Sequence, residues 1–590
     1  MDIKILIVAL VALLGFFAYK QCSGDDKPNY DKLVQQEQSE RAATYKAAED
    51  KKAKAKKKEA LKAAMAARGE RPAEKTVSFD TDEFKAIFTT RGGSLKSFTL
   101  KNPQYVEAPR DWKTGLRDTD ADPVPVDLVT TNTTDYERFN PLQFEVYSGL
   151  DALIPEADFQ IVEQTKQKVV FKYAQPGLPV VIYKKFEIAP EKYPFQVWLT
   201  VRVANVADKK VTFRAGISQH GYQHQTEAKG GMFSKQPNLL QGICRHGDDL
   251  FAHAWNEDEL AGGLAGGFSG VGEISYVGVG TNYFLSAMIP DKETPTTCHV
   301  SAVVHQTSDD ADSWGRIVSE LRFAETELDP GESHVFKVKN YLGPKRYRQL
   351  QSVGHHLETA VDFGVLWPIC QVLLSILFFF QGYVLNWGVA IILLTILVKV
   401  VLMPLTHKSF QSAEKMKALK PEVDKLNEQF KDDPQAKQRE TMALYKRNKV
   451  NPLGGCLPSL LQMPIWFALF RTLRASPELY NAPFFGWIKD LSNPDPYFVT
   501  PLIMGVTMFL QQKMTPMTGD SQQAKMMLYF MPVMFTAMML FLPSGLTLYI
   551  LVNTVLSIVH QYFIHRRSGS GPERSNHRSA GQIRHRSKKG

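Results

Sequence analysis

Ile391-Ile392-Leu393-Leu394-Thr395-Ile396-Leu397-Val398-Lys399 is the stretch that decides how this chain is built. It sits in an apolar run, 386–405, which at about 1.5 Å per helical residue reaches across the ~30 Å of a bilayer's hydrocarbon core. A membrane-spanning helix is predicted, and Lys399 is the costly residue in it. Its ammonium needs either polar company or a route to the surface, and roughly 9 Å of helix separates it from Leu405, a distance a lysine stem largely covers. Thr395 lies one turn earlier on the same face, which favours a polar recess over snorkelling alone.

Further apolar runs follow at 453–473, 497–511, 525–542 and 546–563. With the N-terminal run they predict a polytopic α-helical membrane protein of six transmembrane helices. The run 363–380 contains Pro368 and Gln371 and is read as a helix lying in the membrane interface. Gln462 and Asn553 add polar groups within the spans, and Pro458, Pro464, Pro501 and Pro532 interrupt them. Freed carbonyls and polar side chains are tolerated at membrane depth only against protein or a wet cavity, so these residues point to a hydrophilic recess.

Across the 590 residues, 22% are charged and 44% hydrophobic, but the two kinds are segregated along the chain. Residues 1–22 read as an uncleaved signal anchor, because no small-x-small cleavage pattern precedes Cys22. Residues 23–75 are rich in Ala, Lys, Glu and Gln and form a charged linker. From 76 to 345 short runs of alternating polarity, such as Phe195-Gln196-Val197-Trp198-Leu199-Thr200-Val201 and His334-Val335-Phe336-Lys337-Val338, predict an all-β sandwich, with Gly92-Gly93 as a tight turn between its first two strands. An interfacial region, 346–385, precedes a five-span core, 386–563, and a basic tail, 564–590. Within the core, 406–452 is polar. Met416, Leu419, Val423, Leu426 and Phe430 make an apolar stripe on a charged helix, and Asp433-Pro434 turns the chain into a second helix, giving a hairpin.

The loop 406–452 carries Lys408, Lys415, Lys417, Lys420, Lys425, Lys431, Lys437, Arg439, Lys446, Arg447 and Lys449, and the tail is similarly basic. Between the spans that follow, 474–496 has only Arg474 and Lys489. The positive-inside rule therefore puts the loop and the tail in the cytoplasm. An even number of spans puts the N-terminus there too, and the β-domain in the periplasm. The net charge of +9 suits nucleic acid, ribosome or anionic lipid as partners.

No phosphate-binding GxxxxGK[ST] loop, HExxH pair or GxSxG elbow occurs, so ATP hydrolysis and the familiar hydrolases have no support. No cofactor is expected. The cysteines lack zinc-ligand spacing. Cys244 and Cys298 could pair in an oxidising compartment, a question the spacing leaves open. His220 and His224 read as a same-face polar pair on a strand rather than metal ligands. No acidic residue occurs in the C-terminal spans, which weakens the main alternative, a secondary transporter.

Asn386-Trp387-Gly388, the segment from Lys399 to Pro404-Leu405, Leu444-Tyr445-Lys446, Asn451-Pro452-Leu453-Gly454-Gly455-Cys456-Leu457-Pro458, Gln462-Met463-Pro464-Ile465, Ala482-Pro483-Phe484-Phe485-Gly486-Trp487, Asp495-Pro496-Tyr497 and Pro543-Ser544-Gly545-Leu546-Thr547-Leu548-Tyr549, taken in order, resemble the YidC family of membrane protein insertases. Gly343-Pro344-Lys345 resembles the family's periplasmic domain. The resemblance implies a mutarotase-like β-supersandwich, no covalent catalysis, and a groove open to cytoplasm and lipid. Lys399, Thr395, Gln462 and Asn553 would line the groove, with Trp466, Phe467, Met504 and Met508 as the apolar slide for a client. Lys stands where an Arg is often found in the family. The implied partners are nascent inner-membrane proteins, the Sec translocon, the ribosome, the signal recognition particle with its receptor, and membrane lipids.

Overall fold

The computed structural model describes residues 72–567 except 111–116, 119, 132–138, 151–156, 176, 190, 225–237, 256–258, 260–266, 293, 307–312, 432, 449, 451–456 and 515–525. The signal anchor at 1–22, the linker up to 71, the motif at 451–456 and the tail beyond Arg567 lie outside the described residues.

Alternation of polarity becomes alternation of burial. In the strand Gln196–Asn205, Val197, Leu199, Val201 and Val203 are buried while Arg202 faces out. This strand pairs antiparallel with Val180–Ile188 and Ser333–Pro344 inside a nine-stranded sheet. A second, six-stranded sheet is built around Val211–His224, Thr296–Gln306 and Ser313–Phe323. The two sheets close on a shared core in which Phe336 of the first stacks on Phe323 of the second at 4.3 Å. Cys244, in the first sheet, and Cys298, in the second, form a disulfide across the sandwich. Gly92 and Gly93 both have positive φ and make the expected turn. It joins the second and third strands of a small sheet, because Thr76–Asp80 pairs ahead of Phe84–Thr89. Phe88 packs that sheet onto the large one through Phe186, at 4.5 Å.

Gly343 shows why its motif carries no side chain: a Cβ there would meet the Phe195 ring at 2.7 Å. Two residues later the chain leaves the sandwich through Lys345, whose buried Nζ donates to Ala360 O at 3.0 Å.

The helices are α1 Tyr347–Val353, α2 Trp367–Val384, α3 Trp387–Gln429, α4 Pro434–Arg447, α5 Leu457–Ala475, α6 Val499–Met514, α7 Met531–Met539 and α8 Ser544–Arg567. The Asn386 side chain starts α3 by accepting from Val389 N at 3.1 Å. The helix then continues through Pro404 and Pro421 for 43 residues, about 65 Å at 1.5 Å per residue. The first arm of the basic hairpin is thus an extension of the apolar helix, since no glycine or turn sequence interrupts 406–429. Asp433 caps α4, accepting from Gln435 N and Ala436 N. The two arms close over Met416, Tyr445 and Val450, with Leu419 and Val423 packed beside them.

Among the described residues three segments are long and apolar enough to cross a membrane: Gly364–Val384, Trp387–His407 and Ser544–Ile564. The first contains α2, which the sequence places in the interface. Its inner face, Cys370, Leu373, Leu374 and Leu377, is buried, while Val372, Phe379 and Tyr383 are exposed. The helices α5, α6 and α7 are shorter or less apolar, so length alone does not give six spans.

The turn 476–496 gathers the helix ends. Ser544 N donates to Asn493 O and Gly545 N to Leu491 O, which seats the start of α8. Asp495 caps α6 through Thr500 N at 2.8 Å and also accepts from Trp487 Nε1 at 3.1 Å. Gly388, at the start of α3, lies against Phe484 so closely that a Cβ would sit 2.0 Å from the ring. Two β-domain residues touch the same turn: Gln104 Nε2 donates to Glu478 O at 2.6 Å, and the Val106 carbonyl accepts from Asn481 Nδ2 at 2.7 Å. Tyr480 inserts beside Tyr283 and Phe284 of the sandwich.

Candidate functional site: a lysine in a recess between α3 and α8

The face of α3 that carries Lys399 runs through Ile392, partly buried, and Thr395, buried. A helical repeat of 3.6 brings Lys399 onto the same side two turns after Ile392, where it meets α8. Its Nζ donates to Asn553 Oδ1 at 3.2 Å and to Ser557 Oγ at 2.6 Å. Ser557 passes its own hydroxyl hydrogen to Asn553 O at 2.7 Å, so its oxygen is oriented to accept from the ammonium. Neither partner is charged. The lysine is held by dipoles, with no counter-ion among the groups it bonds.

Lys399 borders a recess of about 410 Å³ whose other walls are Ile396, Val400, Met403 and His407 of α3 and Leu556, Val559, His560, Phe563 and Ile564 of α8. Val400, Met403, Val559 and Phe563 are exposed, so the recess opens on the apolar outer surface of the bundle. His407 and His560 face one another across it with ring centroids 6.0 Å apart and planes inclined by 20°. The recess has no carboxylate lining among the described residues.

Of the four groove residues named from the sequence, Lys399 and Asn553 are brought together. Thr395 is buried and spends its hydroxyl on Ile391 O at 2.7 Å, the bond to the preceding turn that a threonine in a helix interior readily makes. It shares the face of Lys399 but does not line the recess. Gln462 stands beside the Tyr549 hydroxyl, elsewhere in the bundle. Ser557, His407 and His560 were missed. Their signal was periodic: Ser557 lies four residues after Asn553, His560 seven, and His407 eight after Lys399.

The slide residues also divide. Phe467 is exposed and Trp466 packs beside it at 4.6 Å, with Phe535 behind. Met504 is fully buried and Met508 packs partly against the core. Their four-residue spacing points both inward, and Leu502, Ile503, Val506 and Leu510 form the outer surface of α6 instead.

In the β-domain, His220 is buried with Nδ1 3.1 Å from Arg316 Nη1 and Nε2 3.6 Å from Glu145, and burial holds its pKa below the usual value. It belongs to a packed polar network; no cluster fit to hold a metal occurs among the described residues.

Two family models account for most of the chain. The YidC periplasmic domain matches residues 76–376 and the 60Kd inner membrane protein matches 379–570. A protein of Syntrophus aciditrophicus (strain SB) named membrane protein insertase YidC is 36% identical over 497 residues, 84% of this chain and 86% of that one. A protein of the same name from Geotalea daltonii is 35% identical over 499 residues, 84% and 87%. Among solved structures, an active YidC insertase crystal structure superposes with a TM-score of 0.34 at 16% identity, covering 84% of this chain and 93% of the other. A galactose mutarotase-like protein from Lactobacillus casei gives 0.28 at 13%, covering 45% and 100%.

Proposed function

The chain belongs to the YidC family of membrane protein insertases, and from that premise we propose that it inserts newly made inner-membrane proteins through the recess that carries Lys399. The observation that carries this reading is the setting of that lysine: a cation held by Asn553 and Ser557, bordered by apolar walls, without a carboxylate of its own. An acidic residue carried to the centre of a bilayer costs roughly 2.5–3.5 kcal/mol on insertion scales. A positive charge in a wet recess offsets part of that, and burial of the client's apolar span supplies the driving force. No bond is made or broken, and the activity is insertion and chaperoning rather than enzymatic catalysis.

The topology we propose is six spans, with both termini in the cytoplasm and the domain boundaries at 22, 75, 345, 385 and 563. The contacts of the β-domain with the turn 476–496 support it, because they put the sandwich at the opposite end of α5 from the basic hairpin. The start of α2 is tied to that same end, where Asp362 pairs with Arg471, and α2 finishes two residues before α3 begins there. A helix with both ends at one side of the bundle is an interfacial one, whatever its length. The Cys244–Cys298 disulfide suits a periplasmic sandwich. Action alone or beside the Sec translocon, recruitment of ribosomes by the basic tail and hairpin, delivery by the signal recognition particle and its receptor, and contact with anionic lipids complete the proposal.

Depleting the protein and following pulse-labelled inner-membrane proteins by protease protection tests it: they should fail to insert and recover when the protein is resupplied. Normal insertion with a lost solute flux would favour a transporter.

A further inference from the structure

The recess holds more cationic chemistry than Lys399. Eight residues further along α3, a rise of about 12 Å, stands His407, and opposite it on α8 stands His560. Both rings line the same recess as Lys399, and the remaining walls are aliphatic or aromatic. The pair lies on the cytoplasmic side of Lys399, between it and the basic hairpin that continues α3. We propose that His407 and His560 form a second anion-binding station of this groove, receiving a client's carboxylate at the cytoplasmic mouth with uptake of a proton before Lys399 meets it. This rests on the groove reading given above.

Carboxylate binding and proton uptake at this pair are linked. An ordinary imidazole titrates near pH 6.5, so it is the side chain whose charge changes within the physiological range. Two imidazolium ions 6.0 Å apart repel each other, and Lys399 is the other ionisable group lining the recess among its described residues. A carboxylate between the rings removes that penalty. Its arrival and the binding of a proton are therefore mutually favourable, each strengthening the other by the same factor. A client's Asp and Glu remain ionised above pH 6, so pH-dependence in that range reports on the station and not on the client. The apolar walls make the selection sharper, because an anion held there is poorly served by water.

The test uses the full-length protein in phosphatidylcholine vesicles and a purified single-span client with an acidic translocated tail, beside the same client with that tail changed to Asn and Gln. The quantity read is the ratio of acidic to neutral client inserted as the cytoplasmic-side pH is lowered from 8 to 6. The ratio should rise by roughly an order of magnitude across the pH range in which an imidazole changes charge. His407→Gln with His560→Gln should flatten that rise, costing the acidic client more than the neutral one, and His407→Arg should give a high ratio already at pH 8. An unaltered pH profile in the double variant overturns the proposal. So does equal loss of both clients, which would make the pair structural. So does a pair whose only effect is removed by adding phosphatidylglycerol, which would make it a lipid-phosphate site. Lys399→Glu in the same assay separates the two readings: if it impairs both clients alike, the groove reading itself fails, whatever the histidines do.

Discussion

Asn481 Nδ2 donates to the carbonyl oxygen of Val106 at 2.7 Å, a bond between the turn linking α5 to α6 and an edge of the β-domain. The left-handed conformation of Asn481, φ 52°, aims its amide at the sandwich, and asparagine adopts that conformation more readily than most residues. Gln104 returns the bond by donating to Tyr480 O at 2.5 Å. The β-domain is thus fastened to the turn that also seats α3, α6 and α8, while the recess of Lys399 lies towards the other end of the helices.

That separation predicts that the sandwich is dispensable for the insertion step. Removing most of it while keeping 343–380, so that Lys345, Ala360 and α2 remain, should leave insertion of a simple single-span client mostly intact. Protease protection of that client in depleted cells checks it. Complete loss of insertion with normally folded spans would instead make the junction part of the machinery.

The junction should also be sensitive to pH. Burial raises the pKa of Glu478 to about 7, against an opposing pull from its own backbone and Arg346. Between its ordinary value near 4.5 and about 7 the folded state therefore binds a proton that the unfolded state has released. Stability is fullest at low pH and falls as pH rises through that window. Glu478 as a whole is only partly enclosed, so the expected effect is no more than ~2 kcal/mol. Thermal unfolding between pH 5 and 8 should show the decline, and Glu478→Gln should remove it. A decline that persists in the variant would assign it to another group.

Lys184 gives the opposite sign. It is fully buried in the nine-stranded sheet, donates to Gly92 O and Leu142 O, and burial lowers its pKa to about 7. From about 7 to 10.5 the unfolded chain holds a proton that the folded one does not, so stability should increase with pH across that range. Lys184→Met should abolish the increase and, by leaving two carbonyls unsatisfied, cost about 1–3 kcal/mol at pH 9. A variant as stable as the parent at pH 9, measured by intrinsic fluorescence, would mean the carbonyls find other donors.

How far the sequence foretells this structure depends on whether a residue's role is set by neighbours in the chain. The strands were legible because residues such as Val197 to Val203 alternate between core and solvent, and Lys399 because a charge in an apolar run has few explanations. Thr395 was misplaced because a shared helical face does not say which side chains reach the cavity and which bond back to their own helix. Met504 was named with the apolar slide that the family resemblance implies, whereas the side it presents depends on where α7 and α8 pack. The disulfide stayed open because it joins two sheets, a relation fixed by the closing of the sandwich and not by the spacing of Cys244 and Cys298.

The sharpest expectation concerns Lys399. If the residue were an anchor, its charge would set helix depth and any substitution would affect all clients. As a charge in the recess it should interact with acidic client residues as they pass. Two unit charges 4 Å apart at an effective dielectric of about 20 interact by roughly 4 kcal/mol, and water in the recess reduces that. Lys399→Arg keeps the charge and should be tolerated, although the planar guanidinium must share Asn553 and Ser557 differently. Lys399→Glu reverses the charge and should impair a client with an acidic translocated tail far more than the same client with the tail neutralised. Asn553→Leu, which removes one acceptor and leaves the cation in place, should weaken both discrimination and folding by a smaller amount. Insertion of the paired clients, normalised to the amount of each variant in the membrane, decides the matter. Equal impairment of both clients by Lys399→Glu, or of neither, rules out the electrostatic role, and equal impairment with a lowered protein level places Lys399 among the residues that hold α3 to α8.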